Sequence, residues 1–417
     1  MSQPAPPQSA PRGRSDATFL AVGSLLNGVL AYVFFALVTR SLGAGPAAPV
    51  AVLWAWWGFA GAALTFPVQH WIARSAALPG GEAAVRRGLP HVAAAVAGAS
   101  VAAGLVAWLA VDRLFGAEGE WFPLLVVAVG LGSGMLGVVR GTLSGRRAFG
   151  SVAAALALEN GLRCLAAAAL WWAGVSSPTA FGLALVAGYA AAVLWPAALV
   201  PRATGSGEAD APLAFVSGAS AGQLLAQATL TGGPVLLAAV GGAPPQVTAL
   251  FAGLALFRAP YTLALGLVAA LTGRLTSLVE ARDWSRLRRI RRGLTGGTLA
   301  AALLAGLGGA WLGPPVMELV FGTGVRLEPA EAAVVAVGSA FALANLVLTV
   351  GLLARGRSAW VARTWLVAAP AGVVAYLLAG EPLVATCWTF LAVEAVAWLG
   401  FVVLEERSDR QVAGRQG

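Results

Sequence analysis

The chain has 417 residues, of which 59% are hydrophobic and only 11% are charged, and its net charge is +9. A soluble domain carries about 25% charged residues, so this composition excludes an ordinary soluble protein. Apolar runs of about 20 residues, long enough to cross a ~30 Å hydrocarbon core, recur along the whole length. The sequence therefore predicts an all-α polytopic membrane protein, because a segment in lipid must satisfy its own backbone polar groups.

Twelve apolar segments follow a Pro- and Ser-rich stretch over 1–16, which we expect to be a disordered cytoplasmic tail. The predicted helices occupy 17–38, 48–69, 89–111, 121–139, 149–174, 179–200, 213–240, 247–272, 294–312, 331–353, 360–379 and 383–404. Placing the N-terminus inside puts 22 of the 27 basic residues, all arginine, in cytoplasmic segments, and only Arg40, Arg113 and Arg326 outside. We therefore expect a multi-pass protein of the cell inner (plasma) membrane, with both termini and a tail over 405–417 in the cytoplasm.

A short motif recurs at equivalent places in the two halves of the chain. Arg86-Arg87-Gly88-Leu89 leads into predicted helix three, and Arg291-Arg292-Gly293-Leu294 leads into helix nine. The pattern predicts two six-helix lobes over 17–200 and 213–404, joined by a cytoplasmic linker over 201–212. Because six is even, the lobes have the same orientation and are related by a pseudo-two-fold axis along the membrane normal, with a substrate site expected between them.

The stretch near 274–292 carries seven arginines among apolar residues at helical spacing, including Leu278 and Leu287. It predicts an amphipathic cytoplasmic helix on the inner leaflet, with its arginines on lipid phosphates. Simple topological anchoring and a regulatory or partner-binding role are both open readings.

Charged side chains inside membrane helices are costly and usually mark function. Helix five carries Glu159, Asn160 and Arg163, and helix eight carries Arg258. The planar guanidinium binds phosphate oxygens in pairs, so Arg163 and Arg258 are candidates for holding a phosphate or diphosphate. Glu159 and Arg163 are spaced i, i+4 and can equally form a structural pair.

Other polar and bend-forming residues complete the set of candidates. Asn27, Gln223 and Gln227 are candidate cavity residues, although interhelical hydrogen bonding is an alternative. Glu394 and Asn345 also lie within predicted helices, without an assigned role. The candidates for gating or for a functional bend are Arg40, Gly232, Gly233 and Pro234.

The motifs of enzymes are missing from the sequence. We find no Walker A sequence, and His70 and His91 are the only histidines. Cys164 and Cys387 lie in apolar segments, and we interpret them as small apolar residues. We therefore expect no catalytic residues, no metal or other cofactor and no nucleic-acid partner, while a coupling ion, proton or sodium, is left open.

Several segments resemble polysaccharide flippases of the Wzx type, in the MOP (multidrug/oligosaccharidyl-lipid/polysaccharide) superfamily. The first runs from Ser24 to Asn27 and on through Thr39-Arg40-Ser41-Leu42-Gly43. The others are Arg140-Gly141-Thr142-Leu143-Ser144-Gly145, similar to an inner turn before helix five, the polar patch from Glu159 to Arg163, and Phe321-Gly322, similar to an outer turn. A count of twelve helices favours this branch over the lipid II flippases, which usually have fourteen.

The resemblance implies a flippase that moves a polyprenyl-diphosphate-linked oligosaccharide or cell-wall precursor to the outer leaflet, with Arg163 and Arg258 on the diphosphate. Its partners would be the lipid-linked glycan, membrane lipids and, as candidates, polysaccharide-assembly proteins. Two other functions stay open: a MATE-like antiporter of small molecules or drugs, and a non-transporting membrane scaffold for cell-envelope assembly.

Overall fold

The computed structural model describes residues 12–76, 78, 80–116, 119–202, 224–265, 271, 275, 277–279, 281, 283–355 and 357–413. Every regular element in these ranges is a helix, which confirms the predicted all-α fold. Nine helices of this part are long and apolar enough to cross a membrane, or ten if one bent pair counts as a single span. Of the twelve predicted helices, the sixth is a shorter apolar helix and the seventh lies partly outside the described residues.

The helices of the N-terminal half are Arg12–Leu42 (α1), Ala48–Ala60 (α2), Phe66–Ala76 (α3), Gly81–Leu109 (α4), Val111–Phe115 (α5), Phe122–Gly145 (α6), Phe149–Trp172 (α7), Pro178–Ala187 (α8) and Pro196–Leu199 (α9). A π-helical segment, Gly61–Thr65, joins α2 and α3 into one span, and a 3₁₀ segment, Gly188–Leu194, follows α8. The predicted sixth helix over 179–200 is therefore broken into three pieces.

The helices of the C-terminal half are 224–231 (α10), Gly233–Ala239 (α11), Pro244–Phe257 (α12), Ala259–Leu265 (α13), Trp284–Phe321 (α14), Pro329–Ala354 (α15), Ser358–Ala379 (α16) and Pro382–Ala413 (α17). The α12 and α13 axes differ by 51°, so the predicted eighth helix is bent. Most of the predicted linker over 201–212 lies outside the described residues, as do the first residues of predicted helix seven.

The first and last helices extend into the two predicted tails. The first helix begins at Arg12, inside the stretch expected to be disordered, and the last continues to Ala413, well into the predicted tail over 405–417. Hydropathy marks where a helix leaves the lipid, and a helix can continue into water because its backbone hydrogen bonds are internal.

The predicted amphipathic helix near 274–292 is also corrected. Residues 284–292 are the first turns of α14, which runs without a break for 38 residues into predicted helix nine. Asp283 caps this helix, since its side chain accepts a hydrogen bond of 3.0 Å from the backbone N–H of Arg286. That hydrogen bond lowers the pKa of Asp283 below its ordinary value.

Small residues bring the helices of the N-terminal half into close contact. A Cβ added to Gly141 in α6 would lie 2.8 Å from the Cβ of Ile72 in α3, and one added to Gly137 would lie 2.9 Å from the carbonyl oxygen of Thr65. Such close approach of backbones is the usual packing of membrane helices. It fixes α6 against α2 and α3, and so positions Arg140, which lies between these two glycines.

Candidate functional site

A cavity of about 290 Å³ lies between the two halves of the chain. Its walls come from α1, α2, the π-helical segment, α3, α6 and α7 on one side and from α10, α12 and α13 on the other. The lining is largely aromatic and apolar, and the aromatic residues are Tyr32, Phe35, Trp54, Trp57, Phe66, Phe251 and Tyr261. Three charged side chains line it: Arg140, Glu159 and Arg258.

Glu159 is the centre of a buried polar network. One carboxylate oxygen accepts hydrogen bonds from Arg163 at 2.6 Å and from the indole N–H of Trp57 at 3.2 Å, and the other accepts from Arg140. Both arginines therefore share one negative charge. A positive charge remains on this trio, and Arg140 carries it at the cavity surface.

Arg163 lies behind the cavity wall and is fully buried. Besides Glu159, its guanidinium donates to the Asn160 side chain at 2.7 Å and to the Leu185 carbonyl at 2.8 Å, and it sits 4.8 Å from the ring centroid of Trp57. Its donors are directed at protein groups. These contacts make Arg163, the predicted substrate residue of helix five, part of the framework behind the wall, and Arg140, itself only 5% exposed, lines the cavity in front of it.

Asn160 and Asn27 connect this network to α1. The Asn160 side-chain amide donates to the Asn27 side chain at 2.9 Å and to its carbonyl at 3.0 Å. Asn160 is fully buried, whereas Asn27 lines the cavity. Of these two predicted cavity residues, Asn27 reaches the cavity itself and Asn160 lies behind its wall.

Arg258 stands at the bend on the opposite wall. Its Nε donates to the Leu254 carbonyl at 2.7 Å, and its Nη1 donates to the Leu230 carbonyl in α10. In an unbroken helix the Leu230 carbonyl would accept from residue 234, but Pro234 has no N–H to donate. The guanidinium of Arg258 thus supplies the hydrogen bond that the proline cannot make.

The Gly232-Gly233-Pro234 triplet interrupts the helix as the sequence predicted, between α10 and α11. A Cβ on Gly232 would lie 2.3 Å from the Ala228 carbonyl oxygen. Gln227, one turn earlier, lines the cavity and donates to the Thr231 hydroxyl at 3.1 Å. Gln223 lies outside the described residues.

An aromatic cluster closes the cavity toward its predicted outer face. Phe35 and Trp54 of the N-terminal half meet Phe251 and Phe321 of the C-terminal half, with ring centroids of Phe35 and Phe251 4.4 Å apart. Beyond the cluster, the Arg40 side chain donates to the Val320 carbonyl at 3.1 Å and to the Leu319 carbonyl. Arg40 therefore caps the end of α14 across the interface between the halves.

A second buried acid lies away from the cavity lining. Glu394 in α17 is fully buried, and one of its oxygens accepts a hydrogen bond of 2.7 Å from the Asn345 side chain in α15. The other carboxylate oxygen and the side-chain amide oxygen of Asn345 have no hydrogen-bond partner among the described residues. Both atoms are acceptors, so this buried pair has unused capacity for a donor.

Arg140 is the functional candidate that the sequence analysis missed. The predicted helix ended at residue 139, which put Arg140 in an inner turn, but α6 runs on to Gly145. The glycines at 130, 134, 137, 141 and 145 were the available signal, because their spacing continues one helical face past residue 139.

The fold of the chain is similar to that of several solved structures, all of them transporters. An inward-facing multidrug resistance MATE family transporter of the MOP superfamily is 14% identical, with a TM-score of 0.61 over 95% of this chain and 99% of that chain. The eukaryotic MATE transporter AtDTX14 is 14% identical, with a TM-score of 0.60 over 97% and 99%. A MOP superfamily transporter from Pyrococcus furiosus, whose reversed binding-pocket polarity suggests a different function, is 14% identical, with a TM-score of 0.55 over 96% and 98%.

No protein-family model and no curated protein matches the sequence. The likeness is therefore one of structure, and it extends over nearly the whole of both chains. The predicted two-lobed helical fold is confirmed, while membership of the MOP superfamily and the Wzx-like subtype stay predictions. The chain has the two-lobed helical fold of MATE transporters of the MOP superfamily.

Proposed function

We propose that the chain is a transporter that moves a polyprenyl-diphosphate-linked oligosaccharide, or a related cell-wall precursor, across the cytoplasmic membrane by alternating access. The observation that carries the proposal is the charge of the cavity. Arg140 and Arg258 line opposite walls, and Glu159, the acid among the described lining residues, is already shared by two arginines.

The cavity favours an anion on electrostatic grounds. With Arg163 counted, three arginines face one carboxylate, so two positive charges lie in or directly behind the walls. The aromatic and apolar lining lowers the local dielectric constant, which strengthens attraction for a diphosphate. Each guanidinium can also bind two phosphate oxygens, and the Arg140 Nε has no partner within the described protein.

The wall toward the bilayer suits a substrate with a lipid tail. On α1, Leu25 and Val29 are exposed, and the cavity-lining residues Gly28 and Tyr32 lie on nearly the same helical face, because Leu25 and Tyr32 are two turns apart. A Cβ on Gly28 would lie 3.0 Å from the Thr262 methyl group in α13. The exposed apolar surface of α1 therefore continues into the cavity lining, so a headgroup between the arginines would have its lipid tail along that surface.

A MATE-like antiporter of small molecules is the second candidate, and the seven aromatic residues of the lining favour it. Aromatic faces bind organic cations, but the excess of arginine repels them. A membrane scaffold is less well supported, since a scaffold needs no cavity between its halves.

The test compares two double variants in proteoliposomes. R140Q/R258Q removes both cavity cations, and R113Q/R326Q removes two exposed arginines of the predicted outer loops as a control. Charge-assisted hydrogen bonds contribute about 1.5–3 kcal/mol each, so we expect R140Q/R258Q to slow flipping of a polyprenyl-diphosphate sugar by about 100-fold or more. Unchanged flipping by R140Q/R258Q would contradict the proposal, and export of ethidium without any glycan flipping would favour the antiporter.

The remaining features of the transporter are part of the same proposal. We place it in the inner membrane with both termini cytoplasmic, and we assign the buried Glu394–Asn345 pair as the site of a coupling proton or sodium ion. Protease accessibility of a C-terminal tag in right-side-out and inverted vesicles tests the orientation.

A further inference from the structure

We propose that four arginines at the start of α14, Arg286, Arg288, Arg289 and Arg292, form a binding surface for the anionic phospholipid headgroups of the inner leaflet. We call this set the arginine collar. All four side chains are exposed. The proposal does not depend on what the protein transports.

The collar lies on the lipid-facing side of its helix. In the same helix five large exposed apolar residues share one side, with exposed fractions from 52% to 80%: Leu299, Leu303, Leu304, Leu307 and Trp311. At 3.6 residues per turn, Arg289 is about five full turns before Leu307, and Arg286 is about five turns before Leu304. Both arginines therefore point in the direction of the bilayer, as does Arg292, about two turns before Leu299.

The buried side of the same turns points the other way. Leu287 and Thr298 are buried against the protein, and Arg291 is half-buried in a small pocket with Arg355 and Glu405. Arg291 is therefore outside the collar, although it is adjacent in sequence to Arg292. Topological anchoring requires only positive charge on the cytoplasmic side. It does not explain why the charge of the collar lies on one face of the helix.

The end of the collar nearest the membrane fits the depth of the headgroup layer. Leu299 and Leu319 are both exposed, and the helix between them rises about 30 Å, the thickness of the hydrocarbon core. Arg292 is about 10 Å of helix rise before Leu299 and Arg286 about 20 Å, so the collar extends from the headgroup layer toward the cytoplasm. Long arginine side chains at such positions extend to the interface, where guanidinium groups bond phosphate oxygens in pairs.

The described acid at this helix end offsets only part of the charge of the collar. Asp283 accepts hydrogen bonds from the backbone N–H of Arg286 and the hydroxyl of Ser285, at 3.0 and 2.9 Å, and its single negative charge faces four arginines. The start of a helix also carries a partial positive charge. Four arginines at this end disfavour the helix by themselves, and anionic headgroups compensate for that repulsion.

The experiment measures lipid binding in the absence of any transport substrate. The full-length protein in phosphatidylcholine nanodiscs is titrated with phosphatidylglycerol, and the retained lipid is counted by native mass spectrometry. One basic residue near an anionic surface is worth about 1 kcal/mol, or about fivefold. We therefore expect R289Q/R292Q to bind phosphatidylglycerol about 25-fold more weakly than the wild type.

The control R147Q/R202Q removes the same charge from two exposed arginines in predicted cytoplasmic turns of the N-terminal half, and we expect a change below about threefold. Melting temperatures in pure phosphatidylcholine verify that both variants are folded. Equal losses in the two variants, or a wild type without preference for phosphatidylglycerol, would overturn the proposal. The proposal would also be overturned if R289Q/R292Q bound phosphatidylglycerol like the wild type but no longer bound inorganic pyrophosphate. The collar would then be a docking site for substrate headgroups.

Discussion

Arg163 and Arg140 bond the same carboxylate, yet the structure predicts different consequences for their loss. Replacing Arg163 by Met removes a fully buried guanidinium that donates to Glu159, Asn160 and the Leu185 carbonyl. Removing one partner of a buried ion pair typically costs about 3–5 kcal/mol. The Asn160 side-chain oxygen and the Leu185 carbonyl would be left without their donors.

Replacing Arg140 by Met leaves Glu159 paired with Arg163 and with the Trp57 indole. The expected loss of stability is smaller, about 1–3 kcal/mol, the usual cost of one buried charged hydrogen bond. Because Arg140 lines the cavity, we expect its loss to remove anion binding. The pair of variants therefore separates a framework arginine from a substrate-facing one.

Thermal unfolding in detergent, with and without pyrophosphate, measures both effects. An unfolding entropy of about 2.1 cal/mol/K per residue gives about 0.9 kcal/mol/K for a chain of this length, so R163M should lower the Tm by about 3–6 °C. R140M should lower it less and should abolish the rise in Tm that pyrophosphate produces. An R163M protein that melts like the wild type but no longer responds to pyrophosphate would refute the assignment of Arg163 to the framework.

Three further substitutions test the gate, the buried acid and the helix break. Arg40→Ala removes the donor that caps α14. A cysteine introduced in the aromatic cluster should then react faster with a thiol reagent added on the outer side of the membrane, and an unchanged rate of labelling would contradict a gating role. Glu394→Gln keeps an acceptor for the Asn345 side chain but cannot gain or lose a proton. Export should therefore lose its dependence on a proton or sodium gradient while the Tm stays unchanged. Retained dependence would exclude Glu394 as the site of the coupling ion. Pro234→Ala provides a backbone N–H at residue 234, which competes with Arg258 for the Leu230 carbonyl. The Tm should therefore rise while transport slows. An unaltered transport rate would show that the helix break has no role in transport.

The extent of the helices was predictable only where hydropathy and helix ends coincide. The predicted helices over 331–353, 360–379 and 383–404 begin within two residues of α15, α16 and α17. Helix nine was predicted over 294–312, but α14 extends beyond it at both ends, to Trp284 and Phe321. A helix needs apolar residues only inside the lipid, so composition does not mark ends that lie in the headgroup layer or in water.

Only part of the candidate site could be predicted from the sequence, for a related reason. Spacing of i, i+4 correctly paired Glu159 with Arg163, because both residues lie on one helix. The contact of Glu159 with Arg140 joins α7 to α6, and the contact of Arg258 with the Leu230 carbonyl joins the α12–α13 bend to α10. No periodicity within one segment contains that information.

The sequence by itself determined that this is a helical membrane protein, because a chain with so few charges and such long apolar runs has no other way to satisfy its backbone in lipid. It also located the charges that the membrane makes costly. Only the tertiary structure decided which of them faces the cavity, since the exposure of a side chain depends on the helix that covers it. Packing places Arg163 behind the wall and Arg140 at its surface, and it leaves the first arginines of α14 exposed.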